Sequence, residues 1–475
     1  MIETHNPESY IKSLPVQNEE EWENAFKDAY ADFQHKIVVL DDDPTGVQTV
    51  HGVTVFTDWE EATIRKGFEE DGQIFFILTN SRAFRAKKTE EVHRRIAARV
   101  EQIAQENNTP YLLISRGDST LRGHYPLETE VLKNELERRS ERRIDGEVIL
   151  PYFKEGGRLT VEGVHYIVSD GSWTPVGESE FAGDRTFGFS ASHLGDYVEE
   201  MTDGAYKAED VTHVTLASIR QGEIEAITDQ LMKVDHFGKV IVDAVTETDV
   251  KVFTIALIQA LQSGKEFLYR TAATFTKIVG NIHSKPLLTK EELVHDRSEQ
   301  GGLVVVGSHV QKTTDQLEQL KTISGLHFIE FNSHLVLEPK AFREEVERVR
   351  READEKVEEG TSTVIYTRRD RLELGDGQEE KELMLSVQIS EAVTAIVRQL
   401  KSSPKYIIAK GGITSSDVGT NGLGVKQATV KGQVAPGVPV WETSEESKYP
   451  HLPYIIFPGN VGTIHTLKEV VALID

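Results

Sequence analysis

Short apolar, β-branched runs recur along the first half of the chain, and each stops at a polar or glycine-containing turn. Residues 36–40 (KIVVL) run into Asp41-Asp42-Asp43-Pro44-Thr45-Gly46, and residues 73–79 (QIFFILT) into Asn80-Ser81-Arg82. Residues 111–115 (YLLIS) run into Arg116-Gly117-Asp118-Ser119, residues 146–150 (GEVIL) into Pro151, and residues 236–242 into Asp243-Ala244. Runs of this length bounded by turn residues predict buried strands. Helical patterns lie between several of them, as over residues 89–105. Ahead of the first strand, Trp22, Phe26, Tyr30 and Phe33 recur at steps of 4, 4 and 3. That spacing predicts a lead-in helix packed on the first domain.

A polar stretch containing Pro286 precedes a second block of the same kind. Residues 302–306 (GLVVV) lead into Gly307-Ser308-His309, residues 405–409 (KYIIA) into Lys410-Gly411-Gly412-Ile413-Thr414, and residues 454–457 into Pro458-Gly459-Asn460-Val461-Gly462. Between them a helix is predicted from Thr314 through Leu317 and Leu320. A second, over residues 342–357, is amphipathic and carries Glu344/Arg348 and Glu347/Arg351 as solvated i,i+4 pairs. Strands alternating with helices predict an α/β protein with mainly parallel or mixed sheets. The expected division is an N-terminal helical extension (1–35), a first α/β domain (36–283), a linker (284–300) and a second α/β domain (301–475). Ligands of such sheets sit beyond the carboxyl ends of the strands, and here those ends carry Asp, Arg, Ser, Thr and Gly.

Composition narrows the classes of function. The 475 residues include no cysteine, which excludes disulfides, thiolate zinc sites, iron–sulfur clusters and a cysteine nucleophile. The 53 basic side chains against 78 acidic leave a net charge of −25, which argues against nucleic acid or an anionic membrane as partner. No segment approaches the roughly 20 apolar residues of a membrane span. The first residues lack the basic and apolar parts of a signal peptide, so a cytoplasmic location is expected. A homodimer is the default expectation for a soluble enzyme.

The candidate chemistry differs between the two blocks. In the first, adjacent carboxylates at Asp41, Asp42 and Asp43 suit a general base, a magnesium site or polyol hydrogen bonding. Arg82 and Arg116 offer forks for a carboxylate, while Gly117, Asp118 and Ser119 suit hydroxyl groups. Arg158 lies in a glycine-rich stretch, Gly156-Gly157-Arg158-Leu159-Thr160, read equally as ligand contact or plain loop. In the second, Gly307-Ser308, Gly411-Gly412-Ile413-Thr414 and Gly459-Asn460-Val461-Gly462 could bring backbone N–H groups onto phosphate oxygens. No Walker sequence, dinucleotide fingerprint, His-Glu-x-x-His pair or Gly-x-Ser-x-Gly elbow is present. No metal-ligand set is identified.

Taken together, these motifs resemble the four-carbon acid sugar kinases, or tetronate kinases. The resemblance is carried by Asp42-Asp43-Pro44-Thr45-Gly46, Thr79-Asn80-Ser81-Arg82, Asp118-Ser119-Thr120-Leu121-Arg122-Gly123, Gly157-Arg158-Leu159-Thr160, Phe267-Leu268-Tyr269-Arg270-Thr271-Ala272 and the three glycine loops of the second block. It implies a sugar-acid-binding domain, then a nucleotide-binding domain, with a cleft between them. It also implies ATP-dependent phosphorylation of the terminal hydroxyl of threonate, erythronate or 3-oxo-tetronate. By analogy Asp42, Asp43, Arg82 and Arg116 through Ser119 face the acid, and Ser308, Gly411 to Thr414 and Gly459 face the nucleotide. The reading that follows has Asp42 or Asp43 as base, with magnesium and the glycine loops holding the triphosphate. The chain departs from shorter members in having Phe457 where a lysine opens the last glycine loop, and Lys410 is the candidate replacement. Two alternatives remain at this point. Asp41-x-Asp43-x-Thr45 also satisfies the first motif of a haloacid-dehalogenase-type phosphatase, with Asp41 as nucleophile and Asp43 as acid/base. A non-catalytic sugar-acid sensor would need only the first domain's residues.

Overall fold

A computed structural model describes residues 6–169, 171–294, 299–370, 372 and 378–475. Residues 1–5 of the predicted extension and 295–298 of the predicted linker lie outside them. The strands are β1 (Lys36–Asp41), β2 (Val53–Phe56), β3 (Ile74–Leu78), β4 (Tyr111–Arg116), β5 (Gly146–Leu150), β6 (Arg158–Val161), β7 (Val164–Ser169), β8 (Ser172–Pro175) and β9 (Thr212–Val214). They continue with β10 (Gly238–Val242), β11 (Phe267–Thr271), β12 (Leu303–Val306), β13 (His327–Phe331), β14 (Thr363–Thr367), β15 (Ile407–Lys410), β16 (Gln427–Ala435), β17 (Val438–Thr443) and β18 (Pro453–Phe457). The chain folds as two compact units. Residues 1–42 and 58–283 form the first, and residues 43–57 and 284–475 the second.

In the first unit the strand order is β3-β1-β4-β11-β5-β10-β9, and every pairing along it is parallel. All residues of β1, β3, β4, β5 and β11 are buried. That explains why these strands read as continuous apolar runs: a parallel sheet is covered on both faces. One covering helix, Ala86–Asn107, buries Val92, Ile96, Val100 and Ile103 along one stripe. The lead-in helix, Glu19–Tyr30, starts at Asn18, whose side chain accepts from Glu21 N, and it buries Phe26 and Tyr30. Tyr30 Oη also donates to the Val279 carbonyl at 2.8 Å, fixing this helix to the first unit. Register sets the functional end. Asp41 pairs with both Leu78 and Arg116, and Arg116 pairs with Thr271, so the carboxyl ends of β1, β3, β4 and β11 lie side by side.

The glycine-rich stretch around Arg158 is not a plain loop. It opens β6, which forms a small antiparallel sheet with β7 and β8. These strands are short and half exposed, so they lack the apolar run by which the main sheet is recognised.

The second unit has the order β13-β14-β12-β15-β18-β17-β16-β2. Its β13, β14, β12, β15 and β18 are parallel, while β16 and β17 form an antiparallel hairpin joined to the rest by β17 against β18. β2 pairs antiparallel with β16, and this pairing ties residues 43–57 to the second unit. Val304, Val306, Leu317, Val364, Ile408, Ile455 and Phe457 share one core, each side chain contributing about 1.5–3 kcal/mol on burial. Val306 is in register with Lys410, and Lys410 with Phe457, so the loops after β12, β15 and β18 leave the sheet at one edge.

Candidate functional site

On the first unit, β1 delivers Asp41 and Asp42 to the carboxyl edge of the sheet, and both are 2% exposed. Arg116, at the end of β4, reaches Asp41 Oδ1 at 3.1 Å and Asp42 Oδ1 at 3.2 Å. Arg82 grips Asp42 with two nitrogens, Nε to Oδ2 at 3.0 Å and Nη2 to Oδ1 at 2.7 Å. The turn after β3 makes this reach: Asn80 takes a left-handed φ of 56°, a conformation that asparagine tolerates, and a single 3₁₀ turn then presents Arg82.

Residues 117–123 form the adjoining loop. Leu121 N bonds the Asp118 carbonyl at 3.0 Å, and Arg122 Nε returns to Asp118 Oδ2 at 2.7 Å. Leu121 has a φ of 69°, strained for a branched side chain, and is held by burial and by the Tyr197 hydroxyl on its carbonyl at 2.9 Å. Burial alone would raise the Asp118 carboxyl. The charges of Arg82 and Arg122, with hydrogen bonds from Thr120 and Arg122, instead hold it well below the usual carboxylate range. Ser119 is carried from below by His165 of β7, whose Nε2 donates to the Ser119 carbonyl at 2.8 Å while Nδ1 accepts from Thr160 at 2.9 Å. Burial brings His165 down to about 4, so it is neutral at pH 7. Arg158 lies near Asp118, with its guanidinium 5.8 Å from the Phe181 ring centre; Arg122 is 4.8 Å from the same ring. The structure thus gathers Asp42, Arg82, Arg116, Gly117, Asp118, Ser119 and Arg158 at one edge of the first unit. Four guanidiniums, those of Arg82, Arg116, Arg122 and Arg158, lie among four carboxylates, those of Asp41, Asp42, Asp118 and Asp184, and the buried Nε atoms of Arg116 and Arg158 have no hydrogen-bond partner among the described residues.

Asp43 belongs to the second unit. Its Oδ1 accepts from Thr45 N at 2.8 Å and Thr45 Oγ1 at 2.5 Å. A Cβ built on Gly412 would stand 3.6 Å from its Oδ2. The third aspartate of the acidic run therefore sits against the glycine loop that follows β15.

That loop and the one after β12 border a cavity of about 850 Å³ within the second unit. Gly307, Ser308, Gly411, Gly412, Ile413 and Thr414 line it, opposite Ser390, Val393, Thr394 and Arg398 of the helix Glu379–Gln399. The loops are packed too closely for side chains. A Cβ on Gly307 would overlap the Thr414 hydroxyl, and one on Gly411, where φ is +120°, would stand 2.9 Å from Ser308 Cβ. Backbone at such positions can approach a phosphate directly. Gly459, Asn460 and Gly462 do not line the cavity; their loop is held from the helix Gln311–Leu320 by Thr313 on the Gly459 carbonyl at 3.0 Å and Lys312 on the Asn460 carbonyl at 3.2 Å. Lys410 is fully buried, and its ammonium donates to the carbonyls of Pro458 at 2.5 Å and Gly459 at 3.2 Å. Burial, with Lys312 nearby, brings it down to about 7. It fastens the final glycine loop.

Comparison with known proteins gives these two sites a family. A model described as a sugar-binding N-terminal domain matches residues 37–279, and one described as a nucleotide-binding C-terminal domain matches residues 303–467. The chain belongs to the four-carbon acid sugar kinase family. A curated relative, the D-erythronate kinase of Heliobacterium modesticaldum, is 27% identical over 319 residues, and the match spans 66% of each protein. The fold of this family member is shared with a Haemophilus influenzae protein of the DUF1537 family (TM-score 0.61, 17% identity, 92% of this chain and 100% of that one). It is shared also with a protein from Salmonella typhimurium titled a putative tRNA synthase (TM-score 0.64, 15% identity, 92% and 98%).

Sequence reasoning missed several residues that shape the family member's sites. Glu128 lies fully within the first unit and accepts from Ser81 Oγ at 2.6 Å and Arg270 Nη1 at 2.5 Å. His165 supports Ser119, and Arg369 donates to the Ser308 carbonyl at 2.6 Å. The one available signal was the charge itself: a glutamate inside an otherwise helical apolar stripe, or an arginine inside an apolar strand, is rarely buried without a partner. Among the described residues no group of three His, Cys, Asp or Glu stands ready to hold a metal ion, and no helix is long and apolar enough to cross a membrane.

Proposed function

We propose that the protein is an ATP-dependent kinase that phosphorylates the terminal hydroxyl of a four-carbon sugar acid of the threonate, erythronate or 3-oxo-tetronate type. The observation that carries this reading is the pair of buried arginine donors on the first unit, Arg116 Nε and Arg158 Nε, that have no hydrogen-bond partner among the described residues. A small carboxylate would pair with these arginines, and Asp118 and Ser119 beside them suit hydroxyl groups. The glycine-lined cavity of the second unit is large enough for a nucleotide, and its closely approachable glycine backbone would take the triphosphate.

In the proposed reaction the terminal hydroxyl oxygen attacks the γ-phosphorus in line, and the bond to the β–γ bridging oxygen breaks to release ADP. Asp42 has both oxygens engaged by Arg82 and Arg116, so its role is to hold these arginines for the substrate carboxylate. Asp43 takes the hydroxyl proton. Asp417 on the cavity wall would hold the magnesium ion that accompanies ATP, and that ion would supply charge neutralisation. Asp41, the nucleophile of a phosphatase reading, is buried and paired with Arg116, which supports the kinase instead.

The test is ADP release by the purified protein with ATP and magnesium across a panel of four-carbon sugar acids and their 3-oxo forms. Release that requires one acid would identify the substrate. No release with any acid, and no binding of ATP, would overturn the reading.

A further inference from the structure

The motif Phe267-Leu268-Tyr269-Arg270-Thr271-Ala272 is one to which the proposed chemistry gives no role. Arg270 is a charged residue in the middle of a parallel sheet, on β11 between β4 and β5, and only 8% exposed. Its guanidinium is directed by three contacts. Nη1 donates to Glu128 Oε2 at 2.5 Å and to Ser115 Oγ at 3.1 Å, and Nη2 donates to the Arg122 carbonyl at 3.4 Å. Glu128 is itself fixed by the Ser81 hydroxyl, one residue before Arg82.

This guanidinium fills the floor beneath the loop 117–123. A Cβ on Gly117 would overlap its central carbon and lie 2.5 Å from Nη2, and a Cβ on Gly123 would lie 2.5 Å from the same Nη2. Gly117 has no unusual φ, so it is the approach of Arg270 that demands glycine there. Both ends of the loop thus rest on one planar group, and Asp118 and Ser119 stand between them.

We infer that Arg270, held by Glu128, is the positioning residue for the loop 117–123, setting where Asp118 and Ser119 meet the acid substrate. The inference rests on the kinase reading for its substrate but not for its geometry. Lysine keeps the charge at this position and loses the planar fork, so it can satisfy Glu128 but cannot support both glycines.

The experiment compares wild type, Arg270→Lys, Gly117→Ala, Arg270→Ala and the Gly117→Ala/Arg270→Ala double variant, using steady-state kinetics on the acid identified for wild type. A misplacement of about 1 Å costs roughly 10²-fold in rate. Arg270→Lys is therefore expected to lower kcat for the acid roughly 10²-fold, with KM for ATP within about twofold of wild type. Gly117→Ala should show a similar fall, and the double variant should be no worse than Arg270→Ala alone, because the added methyl then occupies vacated space. An unchanged kcat in Arg270→Lys would overturn the inference, as would equal losses toward acid and ATP, or additive losses in the double variant. Should wild type phosphorylate no acid, the kinase reading falls, and amide hydrogen exchange decides the inference. Faster exchange in Arg270→Lys confined to residues 117–123 upholds it, and unchanged or uniformly faster exchange overturns it.

Discussion

Arg82 and Asp42 meet fork to fork, with Nε on Oδ2 at 3.0 Å and Nη2 on Oδ1 at 2.7 Å, across 40 residues of sequence. The Asp42 carboxylate is 3% exposed, so the pair is shielded from bulk water on the carboxylate side. Lysine cannot reproduce the two parallel bonds. Arg82→Lys is expected to lower kcat/KM for the acid roughly 10²-fold while ATP affinity stays within about twofold. Asp42→Asn removes the charge that Arg82 grips, while Arg116 keeps Asp41, and is expected to cost about 3 kcal/mol of stability, read by urea unfolding. Asp43→Asn is expected to keep that stability and lose kcat; an unaltered kcat would remove Asp43 as the base.

The close approach of Gly411 to Ser308 offers a test of the nucleotide site alone. Gly411 has a φ of +120° and its added Cβ would stand 2.9 Å from Ser308 Cβ, so alanine must displace backbone at the cavity wall. Gly411→Ala is expected to weaken ATP binding at least tenfold by calorimetry, with binding of the acid unchanged. ATP bound as tightly as by wild type would remove this loop from the phosphate site.

Glu128 links the acid site to stability in acid. Burial pushes its carboxyl up, but the charges of Arg270 and His93 and the Ser81 hydroxyl bring it down to about 2. A carboxyl lowered in the folded state adds stability above its ordinary value of about 4.3 and loses it as pH falls toward the folded value. Glu128→Gln is expected to be less stable by roughly 3 kcal/mol at pH 7. The gap should close between about pH 5 and pH 2, as measured by denaturant midpoints across that range.

Lys410 gives the opposite window. Burial brings it to about 7, far below an ordinary lysine. Below pH 7 the folded protein must hold the buried charge, whereas above it the folded state releases a proton that the unfolded chain still binds. Stability attributable to Lys410 therefore rises with pH toward about 10. The difference in melting temperature between wild type and Lys410→Met is expected to shift in favour of wild type from pH 7 to pH 10. A difference constant over that range would show that Lys410 does not titrate there.

The family and the α/β fold were legible because their signals are local. A strand buried on both faces must be apolar along its whole length, so β1, β3, β4 and β12 announce themselves, as do the loops that end them. The hairpin of β16 and β17 and the sheet of β6 to β8 gave no such run, because their strands are partly exposed or broken by bulges, as near Gly432. Asp42 and Asp43 are neighbours in sequence, yet the boundary between the units passes between them, and long-range contacts such as the pairing of β2 with β16 decide that. The partnership of Arg270 with Glu128 spans 142 residues. The sequence alone determined which residue types stand at the strand ends. Which charge neutralises which, and which glycine must stay bare, was decided only by tertiary packing, since ion pairs and close approaches depend on distances between segments that no local pattern encodes.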